Sequence, residues 1–145
     1  MRRSKMQSLL WSSPQELENQ FYEALDRRDV NALMTCWSDE EEPILVAEEG
    51  QCLIGLGAIR AYFSALEGMS AAAPSWACRH RTDTMTTALH LLTERHAGQS
   101  GAASEWHVTH VYHRTARGWH LVSRHLSRVG TAETAQHVPI DSRLH

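Results

Sequence analysis

Apolar residues recur at helical spacing through three segments in the first half of the chain. Segment 13–28 opens with Ser-Pro-Gln-Glu, which combines an N-cap serine, a proline at the first helical position and a capping-box glutamate. Asp29 can cap a second, shorter helix whose apolar positions run to Trp37. A third helix is predicted from the spacing of apolar residues in 59–66, ending at Gly68.

Short apolar runs rich in β-branched and aromatic residues predict the strands. Segments 43–47 and 51–54 flank Glu48-Glu49-Gly50, a plausible hairpin turn with glycine at the strained position. After a small-residue connector, turn residues separate four longer strands, predicted at 75–82, 85–96, 104–114 and 119–127. Consecutive hairpins of this kind form an antiparallel meander.

The element order predicts an α+β fold in which three N-terminal helices cover one side of a curved antiparallel sheet. A twisted sheet of long strands leaves a concave space beneath such helices, and we expect a ligand pocket there. The chain length suits one domain, placed at 13–128. We expect 1–12 to be a flexible leader and 129–145 a flexible tail.

Composition excludes several classes of partner. The formal charge of −3 comes with scattered arginines, which provide no electrostatic footprint for nucleic acid. Apolar runs are too short for a membrane span, and the basic N-terminus lacks the apolar region of a secretory signal. The three cysteines, Cys36, Cys52 and Cys78, lie far apart in apolar contexts. They suit reduced, buried thiols and a cytoplasmic location.

Several short segments between about 14 and 128 share their order and spacing with a known family. They are Phe21-Tyr22-Glu23-Ala24-Leu25, Asp29, Trp37-Ser38-Asp39, Gly55 with Ile59-Arg60, Thr109-His110-Val111-Tyr112-His113-Arg114, Gly118-Trp119 and His125-Leu126-Ser127. Together they resemble the SnoaL-like branch of the nuclear transport factor 2-like superfamily, the cone-shaped or cystatin-like roll that also includes ketosteroid isomerase. The resemblance implies the fold described above. It also implies a range of functions, because the superfamily includes isomerases, cyclases, dehydratases and assembly domains.

The last hairpin is especially similar to the association (hub) domain of calcium/calmodulin-dependent protein kinase II. In that alignment, pocket arginines of the hub domain stand where this chain has His110 and Leu126. A ketosteroid isomerase would place an acid in the strand before Gly55. Here that strand reads Ile-Leu-Val-Ala over 44–47, with Glu48 only at its turn.

Two residues are candidates for catalysis. His110 shares a strand face with Trp106, Val108 and Tyr112, and the hub-domain resemblance directs that face into the pocket. An imidazole among aromatic walls can be held neutral by desolvation and act as a base or a hydrogen-bond donor. Glu48 stands near the expected cavity mouth and could act as a general base. A structural histidine and a solvated turn glutamate are the alternatives.

Aromatic and apolar residues between the helices and the sheet are the candidates for lining the pocket. They are Tyr22, Trp37, Tyr62, Phe63, Trp106, Val108 and Tyr112, although a solid core would use the same residues. Five of the ten histidines fall in the final hairpin, at 107, 110, 113, 120 and 125. Strand alternation separates His110 from His107 and His113, so their spacing predicts no metal site and no cofactor.

These observations favour a domain that binds a small apolar or carbonyl-containing molecule. We expect it to be a homodimer, because the other sheet face, assigned Thr109, Val111, Trp119 and Leu121, would need a partner. Two alternatives stay open. One is an isomerase, cyclase or dehydratase that transfers a proton on a carbonyl compound, and the other is a hub-like oligomerisation module.

Overall fold

The computed structural model describes residues 11–69, 72–98 and 101–130. In these residues three helices and six strands follow the predicted order. Their bounds are α1 Pro14–Arg27, α2 Val30–Thr35, β1 Ile44–Val46, β2 Cys52–Ile54, α3 Leu56–Glu67, β3 Ser75–Asp83, β4 Thr87–His96, β5 Ser104–Thr115 and β6 Gly118–Arg128. The α+β class is confirmed.

Side-chain caps fix the starts of the first two helices, as their sequences predict. The Oγ atom of Ser13 accepts a hydrogen bond from the Glu16 amide at 3.1 Å, and Pro14 occupies the first turn of α1. Asp29 Oδ1 accepts from the Ala32 amide at 3.0 Å and caps α2. Between the two helices Arg28 adopts a left-handed conformation with φ of 56°, so the chain reverses within two residues.

The six strands form one mixed sheet in the order β2-β1-β6-β5-β4-β3. The prediction of an antiparallel sheet is wrong at one junction, because β1 pairs parallel to β6. Hairpin β1–β2 thereby extends the C-terminal meander. The edge strands β2 and β3 do not pair with each other, so the sheet is open.

One face of the sheet lies under the helices and carries the core; we call it the inner face. In β5 it holds Trp106, Val108, His110 and Tyr112, all at most 7% exposed, while His107 on the opposite, outer face is exposed. The predicted separation of His110 from its neighbouring histidines is therefore confirmed. Phe21 of α1 packs against His110 with its ring 5.3 Å away, so α1 covers this face.

A β-bulge in β6 changes which residues reach the inner face. Tyr112 lies opposite Leu121 and Val111 lies opposite Ser123, so Val122 is the extra residue. Past the bulge Arg124 lies opposite His110, and it joins Leu121 on the inner face. The expected outer-face position of Leu121 is wrong for this reason.

Trp119 is also misplaced by the sequence prediction. It lies opposite Arg114, which alternates with Tyr112 and shares the inner face, and it is 7% exposed. Next to it, Gly118 bridges to Trp11, and Trp11 itself is buried. Trp11 therefore packs against the domain, although it was included in the expected leader. The rest of that prediction, 1–10, and residues 131–145 of the expected tail lie outside the described residues.

The three cysteines differ in burial. Cys36 is 1% exposed in the core, and burial raises the pKa of its thiol to about 12. Cys52 is exposed on β2 and Cys78 is half-buried on β3. The expectation of three buried thiols is wrong for Cys52, since β2 is an edge strand and one side of it faces solvent.

Candidate functional site

A cavity of about 160 Å³ lies between the helices and the inner face of the sheet. Most of its wall is apolar, supplied by α1, α2, α3 and the segment before β3. The lining residues are Leu25, Arg28, Val30, Leu33, Glu48, Tyr62, Phe63, Leu66, Glu67, Met69, Ala72, Ala73, Pro74, Glu94, His96 and Arg124. Met69 is 52% exposed and Glu67 is also exposed, so the cavity reaches solvent on their side.

The sheet contributes an ion pair to this cavity. Arg124 donates from Nη1 to Glu94 Oε2 at 2.8 Å and from Nη2 to Glu94 Oε1 at 3.1 Å, a bidentate contact. Both side chains are at most 5% exposed. The hydroxyl of Tyr22 adds a hydrogen bond to Glu94 Oε2 at 2.5 Å, and Phe21 lies under the guanidinium with its ring centroid 5.1 Å from Cζ.

This pairing keeps both groups charged. Burial acts to raise the pKa of Glu94, but Arg124, His96 and Tyr22 stabilise the carboxylate and leave its pKa well below the usual range. Burial acts to lower the pKa of Arg124, but Glu94 raises it above the usual value. The cavity therefore contains a fixed carboxylate and a fixed guanidinium.

The hydrogen bonds of His110 determine its tautomer. A guanidinium has only donors, so Arg124 Nη1 donates to His110 Nε2 at 2.9 Å. His110 Nδ1 must then carry the proton, and it donates to the Tyr112 hydroxyl at 2.7 Å. Tyr112 in turn donates to Glu18 Oε1 at 2.8 Å. Burial, and next Arg124, lower the pKa of His110 well below its usual value. His110 is thus a neutral connector with both nitrogens engaged.

Two further polar pairs line the cavity. His96 Nε2 lies 2.8 Å from Glu94 Oε1, and since that carboxylate only accepts, the imidazole donates. The hydroxyl of Tyr62 donates to Glu48 Oε1. Burial, followed by this contact with Glu48, raises the pKa of Tyr62 far above its usual value, so the phenol stays protonated.

The structure divides the predicted site residues into two groups. Glu48, Tyr62 and Phe63 line the cavity. His110 lies behind Arg124 and is not among the lining residues. The remaining five predicted pocket residues are buried in the core and are also absent from the lining: Tyr22, Trp37, Trp106, Val108 and Tyr112.

Sequence reasoning missed Arg124, Glu94 and His96. In β4, Ala88, His90, Leu92 and Glu94 alternate as the buried positions, a pattern that marks His90 and Glu94 as polar residues on an apolar face. Arg124 gives no such signal, because the bulge at Val122 breaks the alternation along β6. In the alignment with the hub domain no arginine stands at 110 or 126, whereas in this structure Arg124, opposite His110, lines the cavity.

Comparison with known proteins identifies the family. The model of the SnoaL-like domain matches residues 15–131. The chain belongs to the SnoaL-like domain family. No curated protein matches the sequence. No helix in the described parts of this SnoaL-like chain has the length and apolar composition needed to cross a membrane.

Solved structures support the nuclear transport factor 2-like fold. A candidate calcium/calmodulin-dependent protein kinase type II association domain from Thiobacillus denitrificans superposes with a TM-score of 0.73 at 21% identity, covering 83% of this chain and 98% of that one. A candidate dehydratase of the NTF2-like family from Streptomyces avermitilis has a TM-score of 0.67 at 23% identity, covering 79% and 93%. A ketosteroid isomerase-like protein from Erwinia carotovora atroseptica has a TM-score of 0.65 at 10% identity, covering 81% and 94%. At these identities the likeness shows the fold alone.

Replacement of Arg124 tests the ion pair. Arg124→Met leaves the Glu94 carboxylate buried without its partner, and we expect it to lower the free energy of unfolding by about 3–5 kcal/mol at neutral pH. In the wild type the folded-state pKa of Glu94 lies below its unfolded value of 4.5, so this stabilisation exists above that value and is lost as the pH falls. In the variant only the hydrogen bonds from His96 and Tyr22 still oppose the effect of burial, so the pKa of Glu94 rises and protonation relieves part of the cost. The difference between the two proteins should therefore shrink towards acid pH in urea denaturation.

Two controls accompany this measurement. The double variant Glu94→Gln/Arg124→Met removes both charges, and it should be more stable than Arg124→Met alone. Arg117→Met removes an exposed pair with Asp39 and should cost at most about 1 kcal/mol. An Arg124→Met protein as stable as the Arg117→Met control, at every pH, would contradict the assignment.

Proposed function

We propose that this SnoaL-like domain binds one small, predominantly apolar molecule that carries a single neutral polar group such as a carbonyl. The proposal rests on the cavity. Its wall is mostly apolar where α1–α3 form it, and it is polar where Arg124, Glu94 and His96 of the sheet reach it. A ligand can bury its apolar body against Leu33, Phe63 and Leu66 and direct its polar group towards the sheet. Arg124 keeps an Nε–H donor with no partner among the described residues.

The charges of the lining residues favour a neutral ligand. The lining contains three glutamates and two arginines, and Arg124 is already neutralised by Glu94. An anionic ligand would meet the carboxylates of Glu48 and Glu94. The other lining arginine, Arg28, already donates from Nη1 to the Met69 carbonyl at 2.5 Å. A carbonyl oxygen needs only hydrogen-bond donors and fits this arrangement better.

Filling the cavity should weaken ligand binding. Leu66→Trp adds bulk to a lining position on α3, and we expect it to weaken the binding of small neutral ketones at least tenfold in ligand-observed NMR. Native mass spectrometry of freshly purified wild type should show a bound small molecule that the variant lacks. Ala65→Trp is the matched control, because Ala65 is exposed on the same helix and outside the lining. Equal binding by both variants, or none by the wild type, would refute the proposal.

Proton transfer on the bound carbonyl compound is a second candidate function. The specific observation is a pair of titratable groups in contact within the cavity, Glu94 and His96. Glu94 accepts from His96 Nε2, which leaves Nδ1 as the basic atom, so a carboxylate orients a histidine base. Glu48 is the alternative proton acceptor, and His110 positions Arg124. The names of two structural neighbours, a dehydratase and a ketosteroid isomerase-like protein, agree with chemistry of this kind.

Deuterium exchange tests the second candidate. Wild-type protein in D2O should accelerate exchange of the α-hydrogens of small neutral ketones, as followed by NMR. His96→Asn or Glu48→Gln should slow that exchange by about 10²–10⁴-fold if the replaced group is the base. His107→Asn, an exposed residue on the outer face, should have no effect. No acceleration by the wild type, or none lost in either variant, would argue against catalysis.

The expected homodimer finds support in an apolar row on the outer face. Ile54, Ile44, Ser123, Val111 and Leu89 are successive cross-strand neighbours, and Ile54, Ile44 and Leu89 are 54%, 38% and 42% exposed. This row replaces the patch first assigned to Trp119 and Leu121. The dimer stays a prediction, as do the cytoplasmic location and the hub-like alternative. Light scattering at micromolar concentration checks the dimer, and a monomer would contradict it.

A further inference from the structure

Three potential metal ligands from three elements meet on the inner face, away from the cavity. They are Glu18 of α1, Cys78 of β3 and His90 of β4, and one ligand atom from each lies within 4.8 Å of the other two. None of the three lines the cavity. Glu18 and His90 are at most 2% exposed, whereas Cys78 is half-buried and leaves a route from solvent.

The contacts of His90 favour a positive charge at this position. Its Nδ1 atom lies 2.6 Å from Glu18 Oε1, and its Nε2 atom lies 3.3 Å from Asp83 Oδ1. Carboxylates only accept hydrogen bonds, so both ring nitrogens face acceptors. A neutral imidazole has one N–H and can satisfy only one of them. A metal ion bound at Nδ1 resolves this conflict.

Glu18 lacks the compensation that Glu94 receives. Both are buried carboxylates, but Glu94 is paired with Arg124, whereas the described polar contacts of Glu18 are with His90 and Tyr112. Neither of those partners carries a permanent charge. A buried carboxylate without a fixed cation is costly, and a bound metal ion would supply the missing charge.

A second β-bulge brings the group together. Cys78 lies opposite Leu92 and His80 lies opposite Leu91, so Arg79 is the extra residue in β3. Past it, Asp83 lies opposite Ala88 and therefore shares the inner face with Cys78 and His90. Regular alternation would have placed Asp83 on the other side of the sheet from Cys78.

We propose that Glu18, Cys78 and His90 bind a zinc-class divalent cation, with Asp83 orienting His90 through its Nε2–H. A sulfur, a nitrogen and an oxygen donor form a set that Zn²⁺ prefers, and three protein ligands leave a fourth position for water. A carboxylate on the second nitrogen of a ligating histidine is a common support for such sites.

The geometry requires only a small adjustment. Ligands of tetrahedral zinc lie roughly 3.3–3.6 Å from one another. The 4.8 Å spread of the cluster can contract to that range, and rotation of the Glu18 carboxylate can widen its 2.6 Å contact with His90. Arg81 lies opposite His90 on the same face but is exposed. Two carboxylates, a thiolate and this arginine leave two net negative charges, which balance a divalent cation.

Titration with Co²⁺ tests the site, because a thiolate–cobalt bond gives a near-ultraviolet charge-transfer band. The wild type should show that band with saturable, one-to-one binding that Zn²⁺ reverses. Cys78→Ser should lose the band, whereas the matched control Cys52→Ser, exposed on the far edge strand, should retain it. Asp83→Asn, at a surface position, should keep the band and weaken affinity about 10–100-fold.

The cobalt titration decides whether the cluster binds a metal ion. Absence of the band from the wild type, or its persistence in Cys78→Ser, would overturn the proposal. Zn²⁺ should also raise the melting temperature of the wild type but not of Cys78→Ser. Because Cys78 and Asp83 are not fully buried, both variants are expected to fold, and their circular dichroism spectra check this.

Discussion

The buried contact between Arg124 and Glu94 is the constraint on which the rest of the inner face depends. Two charges out of water are tolerable only when each has its full set of partners. Tyr22 from α1, His96 from β4 and His110 from β5 supply most of that set, and Phe21 covers the guanidinium. Within the described residues, the Arg124 Nε–H is the donor of this pair left without a partner. The position of α1 over the sheet and the direction of β6 after its bulge are thus coupled to one ion pair. The same pair supplies the polar part of the cavity.

A second polar centre lies farther along the same face, and His110 connects the two. From Arg124 the hydrogen bonds pass through His110 and Tyr112 to Glu18 and then His90. At the first centre the Glu94 carboxylate is paired with Arg124. At the second, the Glu18 carboxylate has no arginine partner among the described residues. Because of this difference we propose a neutral ligand for the cavity and a cation for the Glu18 cluster. The two proposals therefore rest on different residues and can fail independently.

Local sequence signals predicted the elements well because each depends on neighbouring residues. Ser13 and Asp29 cap the helices that their sequences indicate, and Gly50 adopts φ of 83° at the expected turn. The alternation of side chains along β5 predicted that His110 shares a face with Trp106, Val108 and Tyr112, and that face is the buried one. Long-range pairing was not predictable in this way, because the parallel contact of β1 with β6 joins segments far apart in sequence.

The bulges explain why the sequence did not reveal the positions of Arg124 and Asp83. An extra residue at Val122 turns Leu121 and Arg124 to the same face, and one at Arg79 does so for Cys78 and Asp83. A pattern of period two cannot reveal either shift. Aromatic residues such as Tyr112 and Trp106 were predicted to line a pocket and instead fill the core, since composition does not distinguish the two roles.

The tautomer of His110 tests the central claim most directly, because it depends on the donor from Arg124. Nitrogen-15 NMR of the imidazole between about pH 5 and pH 8 reports both its charge and its protonated nitrogen. The account predicts a neutral ring with the proton on Nδ1 throughout that range. A ring that titrates near 6.5, or a neutral ring protonated on Nε2, would contradict the network around Arg124.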